Sequence, residues 1–174
     1  MFDMELAYSR LNHMIDFATR TELRIVTTFT FLLLISDRIL YYLLLLFTGS
    51  VDLGTPFYFD LNIIDQLFLT VIIGPIFETV IFHFILIELL LYLFRRNQFC
   101  NYFVIIISAL LFSASHYYSF DYLIIAFTGG VILSTAYIVA KFRNMLPFAI
   151  VFLIHVTYNL ISLLYYGLKN GMLF

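Results

Sequence analysis

The sequence predicts an all-α fold, a polytopic membrane helix bundle of about five transmembrane helices with an amphipathic helix before them. Three observations carry that prediction. Hydrophobic residues make up 63% of the 174 and charged ones only 11%, with a mean hydropathy of +1.02, whereas soluble domains run at about 45–50% apolar and 25% charged. The apolar residues gather into five segments of the length a bilayer crossing needs, about 20 residues each. The basic residues collect at segment ends that five crossings would bring to one side of the membrane.

Residues 1 to 24 come first. Met4, Tyr8, Leu11 and Ile15 recur at helical spacing with Arg10, Asp16 and Arg20 between them, the pattern of an amphipathic helix lying in the interface as an anchor. The first long apolar run starts only near Ile25, after Asp3, Glu5, Asp16 and Glu22. A retained N-terminus without a cleavable signal is therefore expected.

Residues 25 to 174 read as one transmembrane domain, with no internal repeat, low-complexity tract or linker. The expected spans are 25 to 48, 63 to 94, 102 to 118, 122 to 140 and 146 to 167. The second is too long for one straight crossing and contains Gly74-Pro75, so a kink there or an extension beyond the bilayer is expected. Five crossings put Arg10, Arg20, Arg24, Arg95, Arg96, Lys141 and Arg143 on one side and only Lys169 opposite, which predicts a cytoplasmic N-terminus in a multi-pass protein of the cell membrane. The loop from 49 to 60, with Asp52 and Asp60 and no basic residue, is then external. Ala126, Gly130 and Ser134 recur every four residues, and Ser108, Ala109, Ser113, Ala114 and Ser115 crowd the preceding span. Such small residues let helix backbones approach closely in lipid, so these faces are expected to touch.

A net charge of -2 without a basic tail argues against a nucleic-acid partner, and the one cysteine, Cys100, has no internal partner for a disulfide. The bilayer is the partner this composition points to.

Polar residues inside the apolar segments are the candidate site. Glu78 and Thr79 with His83, Phe112 with His116, and His155 with Asn159 sit on three different spans. Uncompensated, Glu, His or Asn in hydrocarbon is costly, so these residues are functional candidates by default. Depth supports convergence: from the Arg-rich face Glu78 lies roughly 24 Å in, His116 roughly 21 Å, Asn159 roughly 20 Å and His155 roughly 14 Å.

The run Gly74-Pro75-Ile76-Phe77-Glu78-Thr79-Val80-Ile81-Phe82-His83, then Phe112 with His116, then His155 with Asn159, resembles the CPBP group of CAAX proteases and bacteriocin-processing enzymes. The resemblance covers about residues 70 to 163. It extends to the stretches Phe127 to Leu133 and Met145 to Ile150. It departs in one place. The family's first motif is usually Glu-Glu-x-x-x-Arg, whereas here the second Glu is Thr79 and the Arg is His83. The pair at i and i+4 becomes a hydroxyl and an imidazole able to hydrogen-bond, without a buried ion pair.

The resemblance implies an intramembrane endopeptidase. Peptide hydrolysis needs a base for water and donors for the oxyanion. Glu78 is the expected base, His116 holds or helps activate the water, and His155 and Asn159 donate to the oxyanion, with Thr79, His83 and Phe112 in support. A zinc version would use His116, His155 and Glu78 as ligands, but there is no His-Glu-x-x-His element, so metal-free glutamate chemistry is expected first. The alternative is a non-catalytic immunity or scaffold protein of the same family, to which the altered motif is suited. A small transporter is the third reading, and the lack of a repeat counts against it. Outside the site, Asp37 and Arg38 are adjacent and expected to face different ways, each with its own partner. Glu88 is expected to face water near the interface.

Overall fold

The computed structural model describes residues 12–54, 61–94 and 99–169, with side chains to Tyr165. Outside it lie Met4, Tyr8, Arg10 and Leu11 of the expected amphipathic helix, Asp60 of the external loop, and Arg95 and Arg96 of the basic loop; Lys169 is described by its backbone alone. Among the described residues every element is a helix. We label them α1 (12–18), α2 (Glu22–Thr48), α3 (Ile63–Phe94), α4 (Cys100–Ala114), α5 (Phe120–Phe142) and α6 (Pro147–Lys169).

Four of these, α2, α3, α5 and α6, are long and apolar enough to cross a membrane, while α4 has only 15 residues. The chain is an all-α membrane protein. Local chemistry sets the boundaries. Thr21 and Ser119 cap α2 and α5 by accepting the amides of Arg24 at 3.3 Å and Tyr122 at 3.0 Å. Asn62 caps α3 by accepting the amides of Ile64 and Asp65. Gly49, at φ 78°, turns the chain out of α2 in the left-handed conformation that glycine enters without a Cβ clash.

The span expected over 102 to 118 stops at Ala114. Its last carbonyls are taken by side chains of the next turn: Ser115 Oγ donates to the Phe112 carbonyl at 2.6 Å, and His116 Nδ1 bonds the same carbonyl at 2.8 Å. Such local bonds compete with continuation of the helix. His116 therefore projects from the turn after α4.

The Gly74-Pro75 pair does not break α3. The helix passes through two widened π turns, Phe68–Ile73 and Thr79–Ile85, on either side of Gly74–Glu78. Proline lacks an amide hydrogen, and the wider turn is how the ladder accommodates the loss. Residue 74 must be small, because a Cβ there would lie 3.1 Å from the Leu69 carbonyl oxygen and 3.6 Å from Glu78 Oε1.

α5 is the central helix, packed against α2, α4 and α6, while α3 lies against α4 and α6. The expected small-residue contact is present between α4 and α5: a Cβ on Gly130 would come within 2.9 Å of Ala109 Cα. The core runs through Ile25, Val104, Leu133, Ala136, Tyr137, Val151 and Ile154. Large apolar side chains on the outside, Phe31, Leu46, Phe77 and Leu110 among them, are exposed as lipid-facing residues are.

At the basic end Arg143 Nη2 donates to Asp16 Oδ1 and Thr19 Oγ1, both at 2.8 Å, tying α1 to the end of α5. Met14, Ile15 and Phe17 of α1 remain exposed. At the other end the Asp52 amide donates to Asp121 Oδ2 at 2.9 Å.

Two polar groups have partners that the sequence does not show. Glu88 bridges helices: Lys141 Nζ donates to its Oε2 at 2.7 Å and Tyr137 Oη to its Oε1 at 2.7 Å. Both partners lie on α5, whose pairing with α3 the sequence does not display. Arg38 pairs with its own neighbour, Nη2 to Asp37 Oδ2 at 3.6 Å, and lies 4.4 Å above the Tyr165 ring of α6. The long guanidinium stem folds back across the helix surface, so adjacency does not separate the charges.

Candidate active site

Glu78 ends the short α-helical piece between the two π turns of α3. Its Oε1 lies 3.5 Å from His116 Nε2 and its Oε2 lies 3.3 Å from His155 Nε2. One carboxylate thus faces two imidazoles, one from the turn after α4 and one from α6. These separations exceed the usual 2.7–3.2 Å of a closed N–H···O bond, so neither oxygen is locked to a ring. The carboxylate side chain is 26% exposed and the His116 side chain 13%, while His155 is buried.

The His116 tautomer follows from its partner. A carbonyl only accepts, so the bond from Nδ1 to the Phe112 carbonyl puts the hydrogen on Nδ1 and turns Nε2 toward Glu78. The edge between Nε2 and Oε1 is then where a proton is exchanged. Phe112 holds the histidines in register: its ring centroid lies 4.5 Å from that of His116, 5.2 Å from His83 and 6.0 Å from His155. Tyr118 and Tyr122 cover His116 on the outer side, at 6.2 and 6.0 Å.

Asn159 lies one turn along α6 from His155, and its Nδ2 donates to the Thr70 carbonyl at 2.7 Å. In the first π turn the Gly74 amide bonds to Leu69 O. The next amide in that register would belong to Pro75, which has none. Thr70 O is left for the Asn159 side chain to satisfy. One hydrogen of the amide is committed there, and the second remains for another acceptor. Thr70 is the residue the sequence reading lacks, and its signal is Pro75 five positions on.

Thr79 and His83 are fully buried, but no hydrogen bond joins them: Thr79 Oγ1 and His83 Nε2 both lack a protein partner among the described residues. The second π turn is the physical reason, since it alters the angle between i and i+4 side chains that an α-helix would align. His83 is instead tied across to α5 and α4. Its Nδ1 lies 3.2 Å from Ser134 Oγ, which donates to Ser108 Oγ at 2.9 Å, which donates to the Phe82 carbonyl at 2.8 Å. His155 Nδ1 is a further buried atom without a protein partner among the described residues. Each such atom costs about 1–3 kcal/mol unless something satisfies it.

Among the described residues no group of three or more His, Cys, Asp or Glu side chains has the geometry to hold a metal ion. The chemistry available is that of a carboxylate between two imidazoles, with an amide one turn away.

The fold defines an all-α membrane helix bundle, and three of its segments bring a carboxylate and two histidines together. Within it, residues 60–161 match the model of the type II CAAX prenyl endopeptidase Rce1-like family, more than half of the chain, and the protein belongs to that family. The match agrees with the likeness to CAAX proteases carried by the three motifs. No curated protein and no solved structure matches the chain. The family is one of membrane endopeptidases, which implies a peptide or protein substrate in the membrane.

Proposed function

We propose that the protein is a glutamate-type intramembrane endopeptidase hydrolysing a peptide bond of a membrane-associated peptide or protein. The observation that carries this reading is the placement of Glu78 between His116 Nε2 and His155 Nε2, at 3.5 and 3.3 Å. Water attacks the carbonyl carbon as Glu78, supported by His116, takes one of its protons. The new C–O bond forms a tetrahedral oxyanion, to which His155 Nε2–H and the free hydrogen of Asn159 donate. Collapse breaks the C–N bond, and the proton held by Glu78 and His116 passes to the leaving amine. The other water hydrogen stays with the acid product.

Residues 25 to 174 act as a single transmembrane domain, with the N-terminus on the cytoplasmic side. The Arg143 bond to Asp16 supports this orientation, because it gathers Arg20, Arg24, Lys141 and Arg143 at one end of the bundle. A second reading, a non-catalytic immunity or scaffold protein, is favoured by one observation: Thr79 and His83 stand where the family's motif has Glu and Arg. The two readings part in the cell. With Glu78→Gln, an enzyme leaves uncut membrane peptides to accumulate, which peptide mass spectrometry of the membrane fraction detects. An unchanged peptide set together with retained biological function would establish the scaffold reading in its place.

A further inference from the structure

We propose that Thr79, His83 and His155 hold one internal water molecule behind Glu78, and that this water fixes the tautomer in which His155 meets the Glu78 carboxylate. The catalytic consequence rests on the glutamate reading above, whereas the water site rests on hydrogen-bond geometry alone.

The donor chain starts at the Phe82 carbonyl, which only accepts. Ser108 Oγ–H donates to it at 2.8 Å, and Ser134 Oγ–H donates to Ser108 Oγ at 2.9 Å. With its hydrogen committed, Ser134 Oγ meets His83 Nδ1 at 3.2 Å as an acceptor, so the ring hydrogen is on Nδ1. His83 Nε2 is then a fully buried lone pair without a protein partner among the described residues. On α6, His155 Nε2 lies 3.3 Å from Glu78 Oε2, a loose contact in which an acceptor-only carboxylate favours the ring hydrogen on Nε2. His155 Nδ1 becomes a second buried lone pair without a protein partner among the described residues. The third group is the Thr79 hydroxyl, also buried and unpartnered, with one hydrogen to give.

One hydroxyl hydrogen cannot serve two ring nitrogens, so these groups cannot satisfy one another. One water closes the set. It donates its two hydrogens to His83 Nε2 and His155 Nδ1 and accepts from Thr79 Oγ1–H, making the three hydrogen bonds typical of a buried water. Thr79 and His83 belong to the same π turn of α3, and the Phe112 ring packs against both His83 and His155, at 5.2 and 6.0 Å. By donating to Nδ1, the water keeps the His155 hydrogen on Nε2, aimed into the site. Thr79 and His83 are thus positioning residues that act on the site through a water and His155.

The test is nitrogen NMR of the full chain in nanodiscs, labelled with ¹⁵N-histidine and assigned by single replacement of its four histidines. The wild-type protein should show His83 protonated at Nδ1 and His155 protonated at Nε2. Thr79→Val should move His155 toward the Nδ1-protonated form, and Thr79→Ser should restore the wild-type signal. A wild-type His155 protonated at Nδ1, or a His83 protonated at Nε2, would overturn the water site, and both are read in the wild-type spectrum. Catalysis is a separate readout. Thr79→Val should lower kcat about tenfold at unchanged KM, the size of one lost hydrogen bond, with recovery in Thr79→Ser. The expected spectra without any proteolysis would leave the water site standing and remove the protease reading. A Thr79→Val protein with a shifted His155 and wild-type kcat would overturn the positioning role.

Discussion

The side-chain amide of Asn159 is hydrogen-bonded to the backbone carbonyl of Thr70 at 2.7 Å, a carbonyl that Pro75 leaves without a helical donor. This bond ties α6 to α3 one turn along α6 from His155. It makes Asn159 both a structural tie and a candidate oxyanion donor, and the two roles separate by mutation.

Asn159→Ala removes both roles. It should lower stability by about 1–3 kcal/mol through the unsatisfied Thr70 carbonyl. It should also reduce proteolysis by about 10²- to 10³-fold, as loss of an oxyanion donor does. Pro75→Ala restores a backbone donor to α3 and should weaken the Asn159 tie while leaving the amide in place. Its activity should fall less than that of Asn159→Ala. Thermal unfolding and cleavage rates of the two variants check this, and equal losses of activity would make Asn159 purely structural.

The α4–α5 contact is backbone-close, so Gly130→Val should be strongly disruptive. The added atoms meet Ala109 Cα within 2.9 Å, and backbone cannot yield as a side-chain tip does. Overpacking of this kind costs about 1–3 kcal/mol. It should also separate Ser134 from Ser108 and release His83. Gly129→Val on the same helix meets only Leu33 Cδ2, at 3.8 Å, and should cost much less. Unfolding in detergent ranks the two.

The Glu88 bridge allows a similar ranking. The Lys141 and Glu88 side chains are 45% and 38% exposed, so Lys141→Met should lower stability by only about 0.2–1 kcal/mol, and less at high salt. Tyr137 is 1% exposed, and Tyr137→Phe should cost about 0.5–1.5 kcal/mol with little salt dependence. Unfolding at two ionic strengths distinguishes the pair.

Orientation is tested by labelling. With Cys100 replaced, a cysteine at position 52 should react with an impermeant reagent from outside the cell, and one at position 143 only after the membrane is opened. The reverse pattern would invert the topology.

The parts of this molecule legible in the sequence are those written in side-chain type. Apolar length marks α2, α3, α5 and α6, small residues mark the Gly130 contact with Ala109, and the three motifs mark Glu78, His116 and His155. What depended on backbone register was not legible. The two π turns of α3 alter the relation between residues four apart, so Thr79 and His83, a neighbour pair on an ideal helix, do not bond. Thr70 carries no chemical signature of its own, and only the missing amide of Pro75 hints at its free carbonyl. The Ser108–Ser134–His83 chain joins three helices, and spacing along one helix cannot display it. The early end of α4 likewise comes from Ser115 and His116 bonding back to Phe112, a local competition that apolar length does not record.

The most direct test of the central claim is cleavage of a membrane peptide by the purified protein and its Glu78→Gln variant, each with and without a strong zinc chelator. The substitution preserves size and hydrogen-bonding capacity while removing the base, so the account predicts chelator-resistant cleavage by the wild-type protein and a fall of orders of magnitude in a folded variant. Chelator-sensitive cleavage, or a Glu78→Gln protein that cleaves at the wild-type rate, would contradict it.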